Sequence, residues 1–357
     1  MVYSVIRNLL FQTDPEWIHE KIIRTWEKNA QNATFNHIVD LLFKFNDPRL
    51  AIQVGKLSFP NPIGLAAGFD KDAKAISLFE KIGFGSVEIG TVTPKPQPGN
   101  EKPRLFRLKQ QQGLINRMGF NNDGVEIVTE RLRNRSVAIP IGVNLGKNKD
   151  TPIDNAIDDY VTGMKTAWEV ADYFTINISS PNTQNLRDLQ SEDYLYPFIE
   201  KLRKAADQLS EKYKKSKQIW LKIAPDLSDA ELLTVVEIST KFAIDALVLT
   251  NTTITRSTSS DPLMKESGGL SGRPLFRRSN EVLKKVADLT QNQIPLIGVG
   301  GIFSTSDLLE KLRLGATMVQ VYSGFVFEGP GLIKKMKKEL SQKMSNMGVN
   351  QVRDLVI

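Results

Sequence analysis

Short apolar runs alternate with segments of helical periodicity from residue 63 to near the end of the chain. Most runs are continuously apolar, which is typical of parallel strands buried on both faces. The runs predict eight strands, at 63–67, 86–91, 139–145, 173–179, 219–224, 246–252, 295–300 and 318–323. The periodic segments predict eight helices, at 72–82, 121–136, 154–169, 193–213, 228–243, 275–291, 304–314 and about 330–344.

This alternation favours an α/β fold, a (β/α)8 TIM barrel. A doubly wound open sheet shows the same alternation and remains the alternative. Residues 1–46 instead carry apolar side chains at helical spacing, and Asp47-Pro48 marks a break after them. We therefore expect a small N-terminal helical subdomain, 1–46, and a barrel domain, 47–357. The subdomain is either a cap packed on the barrel or a membrane-surface platform with an opening for an apolar ligand.

Composition narrows the chemistry available to the chain. Its 357 residues include no cysteine, which excludes thiolate nucleophiles, disulfides and cysteine-ligated iron–sulfur clusters. Both histidines, His19 and His37, lie in residues 1–46, so a base in the barrel must be another residue type and no metal site is expected. The net charge of +7 comes without a nucleic-acid-binding motif, so no nucleic-acid partner is expected. No apolar run reaches the ~20 residues that a membrane span needs.

Polar side chains follow several predicted strands. In the most informative stretch, 173–183, an apolar strand ends in Asn-Ile-Ser-Ser-Pro-Asn-Thr. Asparagines and lysines also end other strands, at Lys71, Asn144, Lys222 and Asn251. The carboxyl ends of barrel strands carry the active site in this fold. Because amides match the edges of a heterocycle and lysine offsets negative charge, the pattern indicates a polar, planar, anionic substrate.

Glycines end the last two predicted strands, in Gly298-Val299-Gly300-Gly301 and Tyr322-Ser323-Gly324. Glycine-rich ends of strands seven and eight, each followed by a helix, form the usual phosphate site of TIM barrels. The pattern therefore predicts a phosphorylated ligand. Residues 268–272, Gly-Gly-Leu-Ser-Gly, are expected to form a loop that adds backbone donors.

With these motifs the chain resembles the class 2, quinone-dependent dihydroorotate dehydrogenases over nearly its whole length. The matching segments are AAGFDKD at 66–72, EIGTVTPKPQPGN at 88–100, NRMGFNN at 116–122, NLGKNKDT at 144–151, NISSPNT at 177–183, LKIAPDL at 221–227, TNTT at 250–253, GGLSGRPL at 268–275, GVGGI at 298–302 and VYSG at 321–324. The resemblance implies an FMN-binding barrel that oxidises dihydroorotate to orotate in pyrimidine synthesis and passes electrons to a membrane quinone. It also implies a peripheral protein attached by its N-terminal helices to the cytoplasmic face of the cell membrane.

The resemblance further implies roles for single residues. Ser180 matches the catalytic base of the membrane-associated class, whereas the soluble class uses cysteine; no iron–sulfur partner subunit is expected. Thr183 and Phe120 match positions implicated in passing the proton of that serine. The implied substrate-binding residues are Lys71, Asn116, Arg117, Met118, Gly119, Phe120, Asn177, Asn182, Asn251 and Thr252. The implied FMN-binding residues are Ala67, Gly68, Thr91, Asn144, Asn177, Lys222, Thr250, Gly272, Gly301, Tyr322 and Ser323.

Two other functions stay open on the residues alone. One is a non-redox barrel enzyme, such as a phosphosugar isomerase or aldolase that uses Lys222 or Lys71. The other is a membrane-surface binding protein with a degenerate barrel. Flavin absorbance of the purified protein would separate a flavoenzyme from both.

Overall fold

Three helices begin the chain in the computed structural model, which describes residues 2–256 and 258–356; the outermost residues of the predicted domains, 1 and 357, lie outside this part. The helices are α1 (Val2–Leu10), α2 (Pro15–Asn29) and α3 (Ala33–Phe43). Asp14 and Asn32 start α2 and α3, because each side chain accepts a backbone N–H of the first turn. The predicted helical character of this segment is confirmed.

An antiparallel hairpin, β1 (Ile52–Val54) and β2 (Leu57–Phe59), follows the helices. Its turn contains Gly55 at φ +55°, a conformation that costs glycine little. Phe59 packs against Tyr173 and Trp220, and all three side chains are fully buried. The hairpin therefore fills the end of the barrel where the strands begin, and the opposite end remains for a ligand.

Eight parallel strands close into a barrel, which confirms the predicted TIM barrel and excludes the open sheet. Every residue of these strands is buried, as their continuous apolar runs predict. In their order around the barrel the strands are β3 (Ile63–Leu65), β4 (Ser86–Val92), β7 (Ile141–Leu145), β8 (Tyr173–Asn177), β9 (Gln218–Ile223), β10 (Ala246–Leu249), β12 (Leu296–Val299) and β13 (Met318–Val321).

The remaining three strands form a small antiparallel sheet over the carboxyl end of the barrel: β5 (Leu105–Leu108), β6 (Gly113–Asn116) and β11 (Gly269–Gly272). The expectation of a loop at 268–272 is wrong for β11, because the backbone of Gly269 to Gly272 pairs with β6. The short strands were missed because three or four residues are too few for a clear alternation.

Helices follow the barrel strands on the outside, and all eight predicted helices are present. The first begins at Ile76 rather than at residue 72, because the Asp70 carboxylate accepts the N–H groups of Lys74 and Ala75, both at 2.8 Å, and holds the preceding residues in a turn. The helices are α4 (Ile76–Ile82), α5 (Val125–Arg133), α6 (Ala156–Ala167), α7 (Glu192–Tyr213), α8 (Asp229–Lys241), α9 (Phe276–Thr290), α10 (Thr305–Arg313), α11 (Ser323–Glu328) and α12 (Gly331–Met347).

The N-terminal helices pack on the barrel and share its hydrophobic core. Ile23 of α2 and Val39 of α3 belong to the same buried cluster as the barrel strands. A buried ion pair adds a polar contact, since the Arg104 guanidinium donates to the Glu16 carboxylate at 2.7 Å. Removing either partner would leave the other charge buried and unpaired, which typically costs about 3–5 kcal/mol. Buried contacts thus fix α2 and α3 to the barrel.

Candidate active site

A cavity opens at the carboxyl end of the barrel. Its lining comes from the ends of the barrel strands, from the segment after β6, and from β11. In this fold the active site lies at that end, between the loops that follow the strands. The cavity is therefore the candidate active site.

Most of the residues implied by the family resemblance lie together in this cavity. Those that line it are Ala67, Gly68, Lys71, Thr91, Asn116, Met118, Gly119, Phe120, Asn177, Ser180, Asn182, Lys222, Thr250, Asn251, Thr252, Gly272, Gly301, Tyr322 and Ser323. Three others do not line it, namely Arg117, Asn144 and Thr183.

Each of the three has a different surrounding. Arg117 points away, with its guanidinium 2.6 Å from the Glu266 carboxylate and over the Phe106 ring. Asn144 is fully buried on β7, where its amide oxygen accepts from Thr91 and Asn177, which both line the cavity. Thr183 is buried in the loop that follows β8.

Ser180 lies in the loop after β8 and is almost fully buried. Its hydroxyl oxygen accepts the backbone N–H of Asn182 at 3.2 Å. The Asn182 amide donates in turn to the Asn116 side chain, also at 3.2 Å, so the loop after β8 is joined to the end of β6. The hydroxyl and two amides thus meet at one wall of the cavity.

A chain of amides crosses the floor of the site and begins at a buried carboxylate, Glu88 on β4. The Asn144 Nδ2 donates to Glu88 at 2.7 Å, while the Asn144 Oδ1 accepts from Asn177 at 3.2 Å. The Asn177 Oδ1 then accepts from Asn251 at 3.2 Å. Because an ionised carboxylate can only accept, Glu88 fixes the direction in which each successive amide points.

Lys222 on β9 places a buried ammonium at the cavity wall, where it donates no hydrogen bond within the described chain. Burial lowers the pKa of Lys222, and the nearby Glu88 carboxylate opposes this shift. A buried cation without a partner is costly unless a ligand supplies one. Lys222 therefore fits a ligand that carries, or acquires, negative charge.

Lys71 forms another part of the wall and donates to the Asn121 amide oxygen. Burial and the positive charge of Arg104 lower the pKa of Lys71 to about 8, against the attraction of the Glu16 carboxylate. The group is thus mostly charged at neutral pH and loses its charge in mildly alkaline solution.

The ends of β12 and β13 suit a phosphate group. The backbone N–H groups of Gly301, Ser323 and Gly324 donate to no atom of the described chain. The Ser323 hydroxyl lies 2.9 Å from that of Ser271, on β11. Free N–H and hydroxyl groups at a chain turn are common donors to phosphate oxygens. Together with Lys222, they fit a flavin nucleotide whose phosphate lies at β12 and β13.

Sequence reasoning missed several residues of the site. Glu88 is buried and does not line the cavity, whereas Gln320 lines it and donates from its amide to Glu88 at 2.7 Å. A glutamate inside an otherwise apolar strand was an available signal, because a buried charge is retained only with partners. Ser271 and Gly300 also line the cavity; both stand in motifs named above, but neither was assigned a role of its own.

A second cavity lies between the N-terminal helices and the barrel and is mainly apolar. Its lining includes Phe11, Ile18 and Ile22 on one side and Phe325 on the other. Among the described residues, Tyr322 alone lines both this cavity and the first. The Tyr322 side chain would therefore lie between an apolar molecule in the second cavity and a ligand in the first.

His19 lies in the wall of the second cavity, where its Nε2 is 2.8 Å from the Phe69 carbonyl oxygen. Burial and the charge of Lys71 lower the pKa of His19 to about 4. The imidazole is therefore neutral at neutral pH, and it adds no charge to an apolar cavity.

A model of the dihydroorotate dehydrogenase family matches residues 49–344. The chain belongs to this family. A dihydroorotate dehydrogenase (quinone) from Christiangramia forsetii is 45% identical over 96% of this chain and 99% of its own length. One from Shewanella halifaxensis is 46% identical over 94% and 97%.

Solved dihydroorotate dehydrogenase structures have the same fold. The enzyme from Eimeria tenella in complex with ferulenol has a TM-score of 0.88 and 38% identity, over 96% of this chain and 95% of that chain. Its ligand-free form has a TM-score of 0.87, also at 38% identity, over 96% and 98%. The similarity covers the N-terminal helices as well as the barrel, since nearly the whole chain is aligned.

Proposed function

We propose that this protein is a flavin-dependent dihydroorotate dehydrogenase that uses FMN and passes electrons to a quinone at a membrane surface. The observation that carries the proposal is one cavity that joins the Ser180 hydroxyl, a set of fixed amides and the Lys71 and Lys222 ammonium groups. A non-redox isomerase or aldolase does not require the second, apolar cavity. Dihydroorotate oxidation coupled to quinone reduction requires both.

FMN is held, in this proposal, by Lys222 and by the backbone donors at Gly301 and Ser323. A bound flavin supplies the hydride acceptor for the reaction. Lys222 stabilises negative charge on the cofactor, and the small side chains of Ala67 and Gly68 let a flat ring approach the backbone. The N–H groups of Gly301, Ser323 and Gly324 would hold its phosphate, because none of them donates to another atom of the described chain.

Dihydroorotate is held by the amides of Asn116, Asn177, Asn182 and Asn251, with Lys71 as a cation for its carboxylate. Each amide already has a fixed direction through hydrogen bonds within the protein. Preorganised groups lose little freedom when the substrate binds, so more of their interaction energy is kept for positioning.

Ser180 acts as the general base that removes the proton from carbon C5 of the substrate, while the hydride leaves C6. Serine is a weak base unless its own proton is taken up by a neighbour. Thr183 is buried in the same loop and Phe120 lines the cavity, and both belong to the proposed proton path. Near-complete burial of Ser180 limits the contact of its hydroxyl with bulk water.

Quinone enters the apolar cavity between α1, α2 and the barrel. Its occupant would contact Phe11, Ile18 and Phe325, and Tyr322 would separate it from FMN. Stacked aromatic and aliphatic walls are the environment that an apolar ring prefers.

Membrane attachment is proposed through the outer faces of the helices, which carry unusually exposed apolar side chains. They include Val5 and Leu9 on α1, Trp17 on α2, and Leu41 on α3, where Leu9 is 67% and Leu41 73% exposed. Each such side chain contributes about 1.5–3 kcal/mol when buried, so a few suffice for reversible binding. No helix within the described residues is long and apolar enough to cross a membrane. We propose the cytoplasmic face of the cell membrane as the location.

An absorbance spectrum tests the proposal directly. The purified protein should be yellow, and anaerobic dihydroorotate should bleach the flavin band. A soluble quinone should then restore the band, and orotate should be recovered in equal amount to the reduced quinone. A protein with no bound flavin, or a flavin that dihydroorotate leaves oxidised, would refute the proposed reaction.

A further inference from the structure

Arg187 lies just after the Ser180 loop, at the start of a short 3-10 turn, Leu186–Gln190. Its side chain folds back towards that loop. The Nε donates to the Ser179 carbonyl oxygen at 3.0 Å, and an Nη donates to the Thr252 carbonyl oxygen at 2.8 Å. One guanidinium therefore joins the loop after β8 to the loop after β10.

Asp226, after β9, fixes the guanidinium from a third loop. The other Nη of Arg187 donates to the Asp226 carboxylate at 2.8 Å. The same carboxylate accepts the backbone N–H of Ile254 at 3.2 Å and the hydroxyl of Thr253. Three loops of the active-site end thus meet at one planar fork, whose geometry leaves little freedom for any of them.

Ser180 depends on this arrangement because its own side chain is weakly held. Within the described chain its hydroxyl oxygen takes part in a single hydrogen bond, from the Asn182 N–H. Its position is set by the backbone, and the peptide that precedes it carries the carbonyl that Arg187 binds. Thr252, whose carbonyl takes the second bond, lines the cavity beside Asn251.

We propose that Arg187 is a positioning residue, which holds the base loop against the substrate-binding loop after β10. This rests on the proposed function of Ser180. Arg187 does not line the cavity, so it acts through the backbone of Ser179 and not on the substrate. Lysine cannot replace it, since an ammonium has no planar fork to reach both carbonyls and a carboxylate.

Arg135 offers a matched control on the same barrel. It donates to the Asp172 carboxylate at 2.9 Å, and Asp172 accepts the N–H of Ile141 at 2.8 Å. The two arginines are equally exposed, at 20% of the side chain. The Arg135 pair lies where β7 begins, at the end of the barrel opposite the site.

The experiment compares Arg187→Ala, Arg187→Lys and Arg135→Ala as FMN-loaded full-length proteins, in anaerobic single-turnover reduction by saturating dihydroorotate. We expect the rate to fall about 10²-fold in R187A, because a displacement of about 1 Å costs that much. R187K should fall between R187A and the wild type, and R135A should match the wild type. Added methylguanidinium should restore part of the R187A rate, whereas methylammonium should not.

Equal rates in R187A and R135A would overturn the proposal. The R187A rate loss could also come with lost FMN or a lowered melting temperature and without rescue by methylguanidinium. That result would give Arg187 a merely structural role and would likewise overturn the proposal. If R187A does not fold, the test rests on R187K. A wild-type rate of flavin reduction in R187K would then overturn the proposal that the planar guanidinium positions the loops. A wild-type protein that dihydroorotate does not reduce would instead refute the proposed function.

Discussion

The affinity for orotate should fall as the pH rises through about 8, because Lys71 then loses its charge. The pKa of Lys71 is lowered to about 8 in the unliganded site. A bound carboxylate favours the charged ammonium, so the pKa in the complex must be higher than in the free protein. Between these two pKa values the affinity depends on the charged fraction of free Lys71. Binding is therefore strongest below pH 8 and weakens above it.

The size of the effect follows from the titration. At pH 9, one unit above the free pKa, roughly one Lys71 in ten remains charged, so the orotate dissociation constant should rise about tenfold relative to pH 7, or about 1.4 kcal/mol. The pKa values of Lys217 and Lys337 also lie at about 8, but neither residue lines the cavity. They are therefore not expected to contribute.

Calorimetric titration of the oxidised protein with orotate, from pH 6.5 to 9.5, measures this dependence. Lys71→Arg is the control, because a guanidinium stays charged over the whole range. The affinity of K71R for orotate will differ from that of the wild type. The pH dependence that comes from Lys71 should disappear in this variant, and any pH dependence that comes from ionisation of orotate itself should remain. A wild-type affinity that is constant between pH 7 and 9, or that falls equally in K71R, would refute the assignment of Lys71 as the titrating partner.

Three further predictions concern the base, the phosphate and the membrane. Ser180→Ala should keep FMN and orotate binding but slow flavin reduction by about 10²–10⁴-fold in anaerobic stopped-flow, with Ser180→Cys retaining part of the rate; an unchanged rate in S180A would reject the base. Ser323→Asp should weaken FMN binding about tenfold or more but leave riboflavin binding intact in fluorescence titrations, because the added carboxylate repels only the phosphate; equal losses would reject the phosphate site. Leu9→Glu with Leu41→Glu should abolish liposome flotation, whereas Ile127→Glu, at an apolar barrel site that is 46% exposed, should not; flotation of the double variant would indicate that the helices are only a cap.

Substitution on the helix surface is a cleaner test than deletion of residues 1–46. Glu16 of α2 pairs with Arg104, whose guanidinium also donates to the Asn100 carbonyl oxygen at 2.6 Å. The Asn100 amide in turn donates to the Asn182 carbonyl oxygen at 3.2 Å. A truncation would therefore disturb the loop after β8, which carries Asn182, as well as the quinone cavity. It would lower the rate of flavin reduction for reasons unrelated to the membrane.

The barrel could be predicted from sequence because its strands are buried on both faces, and their apolar runs are uninterrupted. The hairpin β1–β2 could not, since its three-residue strands carry too little pattern. The types of residue at the strand ends predicted a ligand site at the carboxyl end of the barrel. They did not predict which of these side chains line the cavity and which are buried behind its wall. Asn144, for example, does not line the cavity but donates to Glu88, and its role in cofactor binding stays a prediction. Its depth is set by the stagger of neighbouring strands, which a single sequence does not encode.

Arg187 illustrates a different limit. It lies beyond a strand end, in a polar segment where arginine usually faces solvent, and no spacing rule connects it with Asp226 or Thr252. Its contacts exist because the left-handed backbone of Asn185, at φ +56°, turns the chain back on itself. Asparagine tolerates this conformation better than most residues, but sequence alone does not tell where the turn will point.

Tyr322, the side chain that lines both cavities, has a consequence for inhibition. Among the residues that the structure describes, the two cavities share no other lining residue, so molecules bound in them would not compete for space. A compound that fills the apolar cavity should thus lower the maximal steady-state rate without raising the dihydroorotate concentration needed for half of it. The same compound should leave the first reduction of the flavin untouched. Orotate analogues should show the reverse pattern, so the two kinds of inhibitor could act on one molecule at the same time.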